Sequence, residues 1–236
     1  MPWLPASRTL LAFTVLREEG VSGQQYRHIS MDETRQQLEA HRAVGDKLVL
    51  VVPSYQMPLV PQSAERVDRF RQNLERAMSS AVAGETDVTP VVGPSEPVER
   101  HTDDPRLVVI NACMTCRGAC CEHGGDEAYL DAKFLASRLA NEPEREPASI
   151  VAEYLDQIPE QSIAGSCVFH GQQGCVLSRE TRSRTCNEFL CYPLQEHEQE
   201  SDSAINGSVA VAKQRGEFQR AAWMEPDGSR IEIELR

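Results

Sequence analysis

Every cysteine of this chain, eight in 236 residues, lies between Cys113 and Cys191. They fall into two groups of four: Cys113-x2-Cys116-x3-Cys120-Cys121, then Cys167, Cys175, Cys186 and Cys191. Chance placement would scatter them along the chain, and buried packing cysteines would not gather around one glycine, Gly118. A Cys-x2-Cys spacing lets one turn aim two thiolates at one ion while nearby backbone amides donate to the sulfurs. A tetrahedral zinc or a four-iron cube takes four such ligands, so all eight cysteines are candidate ligands of an iron–sulfur cluster (4Fe-4S) or of zinc.

Two features of the spacing bear on which metal and how many centres. Adjacent side chains diverge, so Cys120 and Cys121 are not both expected to reach one mononuclear ion. They serve different centres, or one ligates while its neighbour packs, or the pair closes into a strained vicinal disulfide with a redox role. The uneven intervals of the second group, seven, ten and four residues, look less like paired zinc knuckles than like ligands gathered around a larger cluster, which favours iron–sulfur.

A formal net charge of −12, with no clustered basic face, argues against nucleic-acid or anionic-membrane binding. The apolar run Leu10–Leu16 is too short for a signal peptide and is followed by Glu18 and Glu19, and no segment reaches the roughly 20 apolar residues of a membrane span. A cytoplasmic location is the expectation, where thiols stay reduced and disulfides are rare.

The expected fold class is α+β: a small N-terminal α/β unit, a cysteine-rich and mainly helical metal-binding domain, and a C-terminal β-hairpin. The first unit spans 1–105, with a polar, proline-dotted linker at about 85–105, and is the candidate surface for a protein partner. Strands are expected at Leu10–Leu16 and Leu48–Val52, with Ser30 opening a capping box and Gly45 marking a helix stop. A helix from Ser63 to Val82 should bury Val67, Phe70, Leu74, Met78 and Val82. The cysteine domain, 106–195, should begin with a strand at Leu107–Ile110. Helices follow over Asp126–Ala140, burying Leu130, Phe134, Leu135 and Leu139, and from Pro147, burying Ile150, Val151, Tyr154, Leu155 and Ile158. In the extension, 196–236, the segments Phe218–Met224 and Arg230–Leu235 flank the turn Pro226-Asp227-Gly228.

The run Cys113-Met114-Thr115-Cys116-Arg117-Gly118-Ala119-Cys120-Cys121, then Cys167-Val168-Phe169, Gly174-Cys175-Val176-Leu177, Arg182-Ser183-Arg184-Thr185-Cys186 and Phe189-Leu190-Cys191, resembles the YkgJ-type cysteine-cluster family. That resemblance covers about residues 107–195 and implies a zinc- or iron-chelating domain. A related signature occurs in flagellin lysine N-methylases. Ser183 stands where the family usually has proline and Asn187 where it often has arginine, and neither is a thiol.

Near the cysteines, His123 and His170 are candidates to replace a thiolate, and Arg117, Arg182 and Arg184 are candidates to offset thiolate charge. No G-x-S-x-G, Walker A, G-x-G-x-x-G or H-E-x-x-H sequence is present, so the reading leans away from an enzyme. The alternatives are an iron–sulfur redox or protein-modifying enzyme and a metal-free thiol redox switch.

Overall fold

The computed structural model of the protein describes residues 31–39, 47–85, 106–200 and 207–233. The expected strand Leu10–Leu16, the cap at Ser30, the helix stop at Gly45 and nearly all of the expected linker lie outside the described residues. Helix and strand both contribute throughout the rest, so the chain is α+β.

A four-stranded sheet organises one part of the molecule. Strand β1 (Leu48–Pro53) runs parallel to β6 (Ser208–Gln214), which pairs antiparallel with β7 (Glu217–Met224), and β7 pairs with β8 (Arg230–Ile233). The hairpin expected at the C-terminus is β7–β8. β6 carries no signal in the sequence analysis: its Ser-Val-Ala-Val-Ala-Lys run is buried throughout, so polar and apolar residues do not alternate. On one face Leu38 of helix α1 (Met31–Glu39) covers Val49, Val209, Val211 and Trp223. On the other, Val108 and Ala112 cover Leu50, Val52, Ala210 and Ala212 together with Leu194.

Val108 belongs to the segment Leu107–Ile110, expected to be a strand. Residues Arg106–Cys116 form helix α3 instead. Val108, Asn111, Ala112 and Thr115 are its buried residues, a spacing of three, one and three that marks one helical face. The stripe escapes an apolar pattern because two of its members are polar. Asn111 Nδ2 donates to the Ala222 carbonyl at 3.2 Å and to Ser208 Oγ at 3.3 Å, and Thr115 Oγ1 donates to the Asn111 carbonyl at 2.7 Å. The Asn111 amide nitrogen thus finds its partners where the helix lies on β6 and β7, and Thr115 finds its own within the helix.

A second core is helical. Helix α2 (Ala64–Val82) starts at Ser63, whose hydroxyl accepts from the Arg66 amide, a satisfied N-cap. It buries Phe70, Leu74, Met78 and Ala81, while Val82, expected in that stripe, is 60% exposed. The helical period explains the exchange: from Phe70, eleven residues return to within about 20° of the same direction and twelve overshoot to about 120°. Against α2 pack α4 (Ala132–Asn141), capped by Asp131, and α5 (Pro147–Asp156), with Pro147 in its first turn. The first of these begins later than expected because residues 125–129 form turns in which Ala128 and Tyr129 have positive φ. Ile150 and Tyr154 are fully buried, and Val151, Leu155 and Ile158 are packed at the edge of this core. Short strands β2 (Leu59–Pro61) and β3 (Gln161–Ile163) pair antiparallel, as do β4 (His170–Gly171) and β5 (Gly174–Cys175).

Among the described residues no helix is long and apolar enough to cross a membrane.

Candidate metal centre

Helix α3 presents Cys113 and Cys116 from its last turn. The chain leaves it through two left-handed residues, Arg117 (φ 56°) and Gly118 (φ 90°), a conformation that glycine adopts at little cost. A 3-10 turn over Ala119–His123 then carries Cys120 and Cys121. The helix end, with its unsatisfied carbonyls, is closed by Arg220 of β7, which donates to the carbonyls of Thr115 (2.9 Å) and Cys116 (3.0 Å). The Ala119 amide donates to Cys116 Sγ at 3.3 Å.

The second group of cysteines is tied to the first through the backbone. Cys167 N donates to the Cys121 carbonyl at 2.9 Å. Cys175 sits in the β4–β5 hairpin opposite His170. Cys186 lies in helix α6 (Arg184–Glu188), whose cap Ser183 accepts from the Cys186 amide at 3.1 Å. Cys191 precedes helix α7 (Tyr192–Glu200), and its carbonyl accepts from the Leu194 amide at 2.9 Å. All eight cysteines are free thiols, so the vicinal pair is not a disulfide in this structure.

Two glycines make this gathering possible. A Cβ on Gly118 would stand 3.0 Å from His170 Nε2 and 3.1 Å from Cys121 Sγ. A Cβ on Gly124 would stand 2.7 Å from Cys167 Cβ and 3.1 Å from its sulfur. Gly124 has an ordinary φ of −76°, so only the close approach of Cys167 demands glycine there. Gly124→Ala should therefore cost about 1–3 kcal/mol through overpacking and push Cys167 away from Cys121. Gly125→Ala is the control, since its Cβ would meet nothing within 4 Å and only its positive φ of 47° is strained. Comparing the two variants by urea denaturation separates overpacking from backbone strain; Gly124→Ala with no loss of stability would show that the Cys167 contact carries no weight.

Burial dominates the electrostatics. It raises Cys113 to about 11, with Cys116, Cys191 and Cys120 adding to the rise. It likewise raises Cys191 to about 11, against the Leu194 amide, with Cys116 and Cys120 as charged neighbours. Cys167 is raised to about 12 by burial, opposed by the Phe169 amide. Cys116, Cys175 and Cys186 are also raised, first by burial. The vicinal pair splits: a hydrogen bond from the Cys121 thiol lowers Cys120, and Cys121, as the donor, is raised. The Ala119 amide donates to Cys116 Sγ, and the amides of Phe169, Leu177 and Leu194 lie near enough to Cys167, Cys175 and Cys191 to oppose their rise. That arrangement favours the thiolate, the form a metal binds, while the low-polarity surroundings oppose it until a cation arrives.

The two histidines are not placed as ligands. His170 is buried, and burial lowers its pKa, so the ring is neutral. Its Nε2 lies 2.8 Å from the Arg117 carbonyl, which can only accept, so that nitrogen carries the proton and Nδ1 accepts from Ser166 Oγ at 2.6 Å. His170 thereby pins the left-handed exit of α3 to the second cysteine group. His123 is exposed. Of the arginines, Arg182 donates to the carbonyls of Leu177 and Cys175 and lies near Cys120, Cys175 and Cys186. Arg117 turns to Glu232 and Arg184 to Glu188. Sequence reasoning missed Arg220, Arg179, which faces Cys113, and Tyr129, whose phenol is raised by burial and by Cys186, Cys120, Cys167 and Cys121 around it. None carries a local signal, because each reaches the thiols only through the fold.

Compared with family models, with curated proteins and with solved structures, the chain matches none.

Among the described residues no group of three or more His, Cys, Asp or Glu side chains is arranged to hold a metal ion. The donor chemistry nevertheless fits a thiophilic metal: sulfur atoms in excess, amides directed at them, and glycines that let them approach.

Proposed function

We propose that this protein is a metal-binding protein that holds an iron–sulfur cluster or zinc through its cysteine thiolates. The observation that carries the reading is that eight free thiols sit on short segments tied together by the Cys167–Cys121 backbone bond and by Arg182, with the Ala119 amide donating to Cys116 Sγ. The centre would supply a fold-stabilising charge that offsets buried thiolates, and with iron also an electron-transfer site. The uneven spacing of Cys167, Cys175, Cys186 and Cys191 favours iron–sulfur. The same residues underlie the resemblance to the YkgJ-type family. A reducing, cytoplasmic compartment belongs to this reading, because eight free cysteines persist only where thiols stay reduced.

Anaerobic purification of the full chain, followed by metal and acid-labile sulfide analysis, tests it. Brown protein with iron and sulfide in similar amounts is the expected result. Colourless protein with stoichiometric zinc keeps the metal-binding reading and removes the cluster. Metal-free protein whose eight thiols all react with a thiol reagent overturns it.

One observation favours a second reading. Cys120 and Cys121 are adjacent in sequence and both are free thiols, which suits a vicinal redox pair. In that case a mild oxidant would remove two thiols from the count while metal analysis of the untreated protein returned nothing.

A further inference from the structure

The eight thiols do not group as the sequence orders them. Cys116 and Cys191 pack against the sheet-side cluster with Leu50, Val52, Val108 and Leu194. Cys167 is buried within the helical cluster of Phe70, Leu135, Tyr154 and Phe169, with Cys121 and Cys175 packed against it. Hydrogen bonds follow the same division: the Cys121 carbonyl accepts from the Cys167 amide, and the Cys175 carbonyl accepts from the side chain of Arg182, which comes from the turn leading into α6 and Cys186. Electrostatic neighbours agree. Cys113 faces Cys116 and Cys191, whereas Cys121 faces Cys175 and Cys167, and Cys186 faces Cys175. Cys120 lies between the sets, a neighbour of Cys113, Cys116 and Cys191 and also of Cys175 and Cys186, and falls to the sheet set because its adjacent partner Cys121 belongs to the other.

Resting on the metal-binding reading, we infer that the thiols serve two separate centres, one formed by Cys113, Cys116, Cys120 and Cys191 against the sheet, the other by Cys121, Cys167, Cys175 and Cys186 against the helical core. The chain passes from one centre to the other at the peptide bond between Cys120 and Cys121. Divergence of adjacent side chains, a difficulty for a single ion, is what two centres need. Each set holds four thiolates, enough to complete a tetrahedral ion or a four-iron cube without a histidine.

Cobalt(II) titration of the reduced, metal-stripped full chain tests this, read by thiolate-to-cobalt charge transfer in the near ultraviolet. The unmodified protein should take up about two equivalents, and Cys191→Ser and Cys186→Ser about one each, since each loses one tetrahedral site. The double variants discriminate most sharply. Cys120→Ser with Cys191→Ser should keep about one equivalent, and Cys120→Ser with Cys186→Ser none, because only the second strikes both sites. Cys175→Ser replaces Cys186→Ser if the latter loses its far-ultraviolet circular dichroism. Loss of all binding in either single variant, or uptake of one equivalent by the unmodified chain, overturns the two-centre inference and leaves metal binding standing. No uptake by the unmodified chain overturns both.

Discussion

Phe169→Ala should remove about 3–5 kcal/mol of stability, the range for deleting a fully buried phenylalanine ring. Phe169 is inaccessible to solvent and sits between the ring of Phe70, edge-on at 5.2 Å between centroids, and that of Tyr154 at 6.4 Å. Alanine would leave a cavity between α2 and α5 that neither helix can fill without shifting. Backbone near Phe169 also serves the thiols: its amide lies near the Cys167 sulfur and opposes the rise of that thiol, and its carbonyl accepts from the Val176 amide at 2.9 Å. The cavity should therefore loosen the Cys167–Cys175 segment as well as the core. Phe169→Leu, closer in volume, should cost about 1.5 kcal/mol or less. Urea denaturation of the two variants checks the ordering. A midpoint for Phe169→Ala equal to that of Phe169→Leu would mean that the cavity left by alanine costs nothing, and would overturn this account.

Arg66→Ala should cost about 2–4 kcal/mol near neutral pH, because it strips buried partners rather than a surface pair. Arg66 Nε donates to Asp126 at 2.7 Å, one terminal nitrogen donates to Ser162 Oγ at 2.8 Å, and the other to the Ser166 carbonyl. Ser162 and Ser166 are 0% and 1% exposed, so both oxygens would lose this donor where water has little access. Arg66→Lys keeps the charge without the planar fork and should fall between. Acid adds an independent check. Burial alone would raise Asp126, but hydrogen bonds from Arg66 and Arg69 prevail and hold its carboxyl below the usual range. A depressed folded-state pKa stabilises fully above the ordinary carboxylate value of about 3.9 and fades as pH falls through the lower folded value. The stability gap between the unmodified protein and Asp126→Asn should accordingly be widest above about pH 5 and shrink below about pH 4. A gap that stayed constant from pH 7 to pH 3 would refute the ion-pair account.

Elements whose residues interact mainly with near neighbours in sequence were legible. The helical period of Phe70, Leu74 and Met78 marks α2, the continuous run Leu48–Val52 marks β1, Pro147 marks the start of α5, and Pro226-Asp227-Gly228 marks the β7–β8 turn. Elements defined by distant partners were not. Leu107-Val108-Val109-Ile110 suits a strand by composition, yet forms a helix whose buried face continues through Asn111 and Thr115; Thr115 bonds back to the Asn111 carbonyl within the helix, and the Asn111 amide finds its partners on the sheet. β6 is rich in alanine and covered on both faces, so it shows neither alternation nor strong β-propensity until Val49 and Trp223 flank it.

By itself the sequence determined how many thiols the protein carries, that Cys113 and Cys116 share one turn, and that Cys120 and Cys121 must diverge; these follow from spacing along a chain of fixed geometry. Only the tertiary structure decided which thiols meet. Cys191 joins Cys116 on the sheet side, and Cys121 joins Cys167 on the helical side, across 75 and 46 residues of sequence. Such pairings depend on which hydrophobic face each cysteine-bearing segment covers, and local residue patterns carry no record of that choice.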